Sequence, residues 1–152
     1  MKLSSFAILS TVVLGLAVSN AQGMTDEQES FARCRRLAQS VMERISGGDD
    51  RAALELLRPN MPISKADFDI SLGKTLKERQ ALTDRLGKIV GVKLVREERV
   101  SDFLYRITYA EKRERHLLRW QFTFYRPQNQ WMLNAFNWDD RAMLLFDDGH
   151  PN

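Results

Sequence analysis

Apolar residues recur at three- and four-residue steps through Phe31, Cys34, Leu37 (with Ala38), Val41 and Ile45, which predicts a helix over residues 25–46 with one buried stripe. Thr25 followed three residues later by Gln28 makes a capping box, and Asp26, Glu27 and Glu29 suit the positive start of that helix. Gly47 and Gly48 end it. A short second helix is predicted over residues 50–57, with Asp49 or Asp50 as cap and Ala53, Leu54 and Leu57 inward. Pro59 and Pro62 bracket a linker, and Ser64 caps a third helix that runs to Leu86. Phe68, Leu72, Leu76 (with Thr75), Leu82 and Leu86 carry its apolar spacing, and Gly87 stops it. Lys74, Lys77, Glu78, Arg79 and Arg85 read as its solvated face.

Beyond Gly87 the period changes from helical to alternating. Val90, Val92 and Leu94 open a first strand, which becomes charged through residues 96–99, and Ser101-Asp102 is a turn. In the second strand Phe103, Tyr105, Ile107 and Tyr109 share one face, with Leu104, Arg106, Thr108 and Ala110 on the other. The mixed charges of residues 111–116 read as the solvated end of a hairpin. Leu118, Trp120, Phe122 and Phe124 then fall on one face of a third strand, and Pro127-Gln128-Asn129 turns into a fourth that ends at Trp138. By strict alternation that last strand is apolar on both sides, with Met132, Phe136 and Trp138 against Trp131, Leu133 and Ala135. Three helices cover one face of such a sheet. The other face then calls for the apolar extension at residues 141–146, a second copy, a partner or a ligand.

The first 21 residues stand apart from this pattern. Lys2 supplies a positive start, an apolar run spans residues 6–18, and Ser19-Asn20-Ala21 offers small residues where a signal peptidase reads. The run is short of the roughly 20 apolar residues that cross a bilayer. The expectation is therefore an exported protein, periplasmic or secreted: a signal peptide at 1–21, a single domain at 22–146 and a polar tail at 147–152, with no stable membrane insertion after cleavage. Without residues 1–21 the chain holds 22 basic and 20 acidic residues, too balanced and dispersed to argue for nucleic acid. The single cysteine, Cys34, lies on the apolar stripe of the first helix and reads as a small core hydrophobe.

Little in the chain points to chemistry. His116 and His150 lack ligand spacing, Asp139-Asp140 and Asp147-Asp148 sit in no calcium-loop pattern, and no metal or other cofactor is expected. No nucleophile elbow, phosphate loop or Cys–His pairing occurs. Tyr105 and Tyr109, with Asp67 or Asp139, are the residue types that could perform proton transfer in a pocket, although no spacing singles them out as catalytic.

Three helices followed by a sheet ending in a Trp-rich strand resembles the nuclear transport factor 2-like superfamily, the cystatin-like cone. The resemblance rests on Arg85-Leu86-Gly87-Lys88-Ile89-Val90 at the helix-to-strand passage. It rests also on Gln130-Trp131-Met132-Leu133 with Phe136-Asn137-Trp138 at the end. It implies an α+β fold, three N-terminal helices packed on a curved four-stranded antiparallel sheet, forming a cone with a pocket. It also implies frequent dimerisation. The family's short extra strand would have to come from Asn60-Met61-Pro62-Ile63. Candidate pocket residues are then Tyr105, Tyr109, Trp120 and Asp67, beside Ile107, Phe122, Phe68 and Leu72. Because such a cone hosts both enzymes and non-catalytic modules, function has to come from the site. Most acids fall at turns and helix starts (Asp26, Asp49, Asp102, Asp139), where capping explains them. The expected function is therefore a non-catalytic binding or interaction module, with a homodimer through the sheet, a protein partner or a small apolar ligand. The alternative is a pocket enzyme doing acid–base chemistry on a small apolar substrate, of isomerase, dehydratase or hydrolase type.

Overall fold

A computed structural model describes residues 25–146. The signal peptide and polar tail expected at the two ends lie outside the described residues. Helix α1 (Asp26–Ser46) opens with the reciprocal cap: Gln28 N donates to Thr25 Oγ1 at 3.2 Å and Thr25 N to Gln28 Oε1 at 3.0 Å. Its stripe is buried as the spacing predicts. Helix α2 (Asp50–Glu55) is capped by Asp49 and followed by a 3-10 turn at Arg58–Asn60, and Asn60-Met61-Pro62-Ile63, where the family's extra strand is expected, forms no strand. Helix α3 (Lys65–Leu86) starts on Ser64 and stops at Gly87, whose φ of 81° needs a residue without Cβ.

Strands β1 (Ile89–Val100), β2 (Leu104–Arg113), β3 (Leu117–Tyr125) and β4 (Met132–Asp139) form one antiparallel meander in the order β1-β2-β3-β4. The sheet stays open, with β1 and β4 as free edges, and it is not curled into a cone. The architecture is a three-helix layer on a flat-lying sheet, so the expected cone and its pocket are corrected here. Side-chain volume is the physical reason. Tyr105, Ile107, Leu118, Trp120, Phe122 and Leu133, all fully buried, fill the space between sheet and helices together with Phe31, Val41, Ile45, Phe68 and Leu72. A cone needs that space left open.

The face assignment of β4 also differs from strict alternation. Phe124 pairs with Leu133 but Thr123 pairs with Ala135, so Asn134 is an extra residue in a β-bulge. The bulge shifts the phase by one. Leu133 therefore belongs to the core cluster, Phe136 and Trp138 pack against it half-buried, and Trp131 packs against Phe31 with ring centroids 5.2 Å apart. The outer face is polar instead. Arg106 clamps Glu98 at 2.8 Å and Arg119 binds Asp139 at 2.7 Å across neighbouring strands. The C-terminal extension forms a 3-10 turn (Ala142–Leu145) against β3, where Arg96 Nη2 donates to the Leu144 carbonyl at 3.0 Å. Ala142, Leu144 and Leu145 are half-buried there, while Met143 and Phe146 stay about three-quarters exposed.

Two further expectations are corrected by position. Residue type alone puts Arg79 on the solvated face of α3 and Glu111 and Arg113 in a solvated turn. Arg79 and Glu111 are 0% exposed and Arg113 is buried. Only Lys112, Glu114, Arg115 and His116 of that charged run face solvent.

Candidate functional site

The four candidate pocket residues do not converge on a cavity. Tyr105 and Trp120 are fully buried, and Tyr109 meets Phe122 edge-on at 6.3 Å. Asp67 lies exposed in the first turn of α3, where Ser64 Oγ donates to its Oδ2 at 2.6 Å and Asp67 N donates to Ser64 Oγ at 3.1 Å. Its carboxylate therefore completes a helix cap. Phe68 and Leu72 line only a cleft of about 100 Å³, well below the 300–1,000 Å³ or so of ordinary ligand sites.

Two ionic clusters tie helices to sheet, one buried in the core and one partly exposed at its edge. In the first, Glu111 Oε2 accepts from Arg79 Nη1 at 3.0 Å and from Trp120 Nε1 at 2.7 Å, while Oε1 accepts from Arg113 Nε at 2.6 Å. Arg79 Nη2 reaches Asp50 Oδ1 at 2.9 Å, and its guanidinium lies 5.0 Å from the Trp120 ring. Arg113 Nη1 donates to Gly87 O at 3.0 Å and Thr83 Oγ1 at 3.1 Å, which closes the last turn of α3. The cluster ties α2, α3, β2 and β3 together, and every oxygen of Glu111 is already taken. Its role is structural.

In the second cluster Arg35 holds Glu97 bidentately, Nε to Oε1 at 2.7 Å and Nη2 to Oε2 at 2.6 Å. The Tyr105 hydroxyl donates to the same Oε2. This is the tyrosine–carboxylate pair that proton transfer would use, built from Glu97 rather than Asp67. Its titration is wrong for that work. The Arg35 hydrogen bonds, working against burial, hold Glu97 below the usual carboxylate range, and burial followed by the Glu97 contact pushes the Tyr105 phenol up. Asp139 is likewise unsuited as a base. Burial alone would raise its carboxyl, but the bonds from Arg119 and Arg141 outweigh that and hold it at about 2.

Among the described residues, no three His, Cys, Asp or Glu gather as a metal site, and no helix is long and apolar enough to cross a membrane. His116 Nε2 contacts the Asp140 carbonyl at 3.2 Å. Cys34 is 4% exposed, and burial pushes its thiol up to about 12, which removes the thiolate at physiological pH.

A groove of about 500 Å³ lies between α1 and the β3–β4 hairpin. Ser30, Arg33, Cys34 and Leu37 form one wall, and Phe124, Asn129, Gln130, Trp131 and Leu133 the other, with Asn60 at one end. Sequence reasoning did not assemble it, because its walls come from segments about 90 residues apart. Comparison of the chain with protein-family models, with curated proteins and with solved structures finds no match, so the open α+β sheet and its groove stand on their geometry alone.

Proposed function

We propose that the protein is an exported, non-catalytic binding or interaction module that works through its outer surface. The observation that carries this reading is the state of the Tyr105–Glu97 pair. Both groups are committed to each other and to Arg35, and their protonation is driven away from neutral pH in opposite directions. An acid–base enzyme needs a group that gains and loses its proton near working pH. Export rests on Lys2, the apolar run at 6–18 and the small residues before Gln22.

A homodimer through the sheet has less support than the two-sided alternation of β4 suggested, because the bulge at Asn134 gathers the apolar residues on the helix side. Exposed apolar residues lie instead on β1, at Val90, Leu94, Val95 and Val100. That edge strand has two register breaks in its pairing, a device that blunts edge-to-edge association. The groove beside α1 is the better candidate surface.

The test is complementation of a strain lacking the protein. The variants Asp67→Asn and Tyr109→Phe are expected to restore the strain as fully as the wild type, and the exported chain is expected to begin at Gln22 by intact mass. Loss of function in either variant with an unchanged melting temperature would support catalysis instead.

A further inference from the structure

We propose that the groove between α1 and the β3–β4 hairpin binds an amphipathic organic anion, with its apolar body on Trp131, Phe124, Leu133 and Leu37 and its charged head on Arg33. This rests on the binding-module reading and names the ligand class for it. The lining contains no acid, and Arg33 is its only charged residue. Among the described residues no carboxylate holds Arg33, and of the arginines in that state (Arg36, Arg44, Arg51, Arg99 and Arg115 are others) it is the one that lines this groove. A guanidinium free beside an apolar wall is suited to receive a carboxylate or similar head group.

The apolar wall is held by packing. The Trp131 ring is packed by Phe31 at 5.2 Å and Tyr105 at 6.2 Å, and the Arg126 guanidinium covers it at 5.3 Å while bonded to Asp102 at 2.9 Å. Its Nε1–H is buried without an acceptor among the described residues, and an oxygen of a bound ligand would supply one. Asn129 and Gln130 at the hairpin mouth add amide donors. The volume of about 500 Å³ falls within the range of small-molecule sites. This groove is distinct from the space around Tyr105, Tyr109 and Trp120, which is packed shut.

The probe is decanoate, titrated into the ¹⁵N-labelled protein and followed by the indole N–H resonances. The Trp131 indole is expected to shift saturably with a Kd below about 1 mM, and the Trp120 indole to stay in place. Arg33→Glu is expected to weaken binding at least tenfold, and 1-decanol is expected to give no saturable shift. Because Arg33 is exposed, an unmoved Trp120 resonance in the variant reports an intact fold. Absence of a saturable shift, equal responses to decanoate and decanol, or undiminished binding by Arg33→Glu would each overturn the proposal. None of these bears on the complementation test, so the groove can fail while the non-catalytic reading stands.

Discussion

Glu111→Gln is expected to destabilise the protein by about 3–5 kcal/mol, the usual effect of removing one partner from a buried ion pair. Glu111 is fully buried and accepts from three donors: Arg79, Arg113 and the Trp120 indole. Glutamine keeps the shape but turns one acceptor oxygen into an NH₂ that faces donors, and it leaves two arginines without their shared acid. Against a total stability of about 5–15 kcal/mol this is a large fraction, corresponding to a fall of roughly 10–20 °C in melting temperature. Urea unfolding measures it. The double variant Arg79→Met/Glu111→Met is expected to lose less than the sum of its single variants, because the Arg79–Glu111 pair goes as a unit and, of the charged groups, only Arg113 and Asp50 are left short of a partner. A loss below about 1 kcal/mol for Glu111→Gln would mean that water reaches the cluster and screens it.

Leu133→Ala is expected to cost about 2–5 kcal/mol, whereas Ala135→Lys should stay within about 0.5 kcal/mol of wild type. Strict alternation puts Leu133 and Ala135 on the same face, so it predicts similar environments for the two positions. The bulge at Asn134 separates them: Leu133 is fully buried opposite Phe124, and Ala135 is exposed opposite Thr123. Unfolding curves of the two variants read the phase shift directly. Equal effects at the two positions would place the irregularity elsewhere in the strand.

Where residue type and position agreed, the sequence was a good guide. The α1 stripe from Phe31 to Ile45, the Thr25 and Ser64 caps, the Gly87 stop and the inward Tyr105, Ile107 and Tyr109 are found as periodicity and capping chemistry dictate, whereas Phe103, expected on the same row, lies exposed in the turn before β2. Charged residues on apolar phases are where residue type and position disagree, and position decides. Arg79 lies seven residues after Leu72 and three before Leu82, on the stripe itself, and Glu111 and Arg113 continue the inward row of β2. Position alone would have placed them inward, where they could survive only by pairing with each other.

The bulge was harder to read. Asn134 is a single polar residue with no glycine or proline beside it, so nothing local marks a phase change. The cone failed for a different reason: element order does not encode curl, which depends on how much side-chain volume the helix-facing side must hold. Here the aromatic and aliphatic groups fill it. The groove is a tertiary feature of α1 and a distant hairpin, and its one hint in the sequence was an arginine at position 33 one residue before the buried Cys34.

Hydrogen exchange of the Trp120 indole N–H tests most directly whether the sheet–helix interface is a closed core rather than a pocket. That proton is fully buried and bonded to Glu111 Oε2 at 2.7 Å. In a closed core it exchanges only through global unfolding, with protection equal to that of the slowest amides of β2 and β3. Exchange of the Trp120 indole on the timescale of an exposed tryptophan, while those amides stay protected, would show solvent entering the interface and would contradict the filled core.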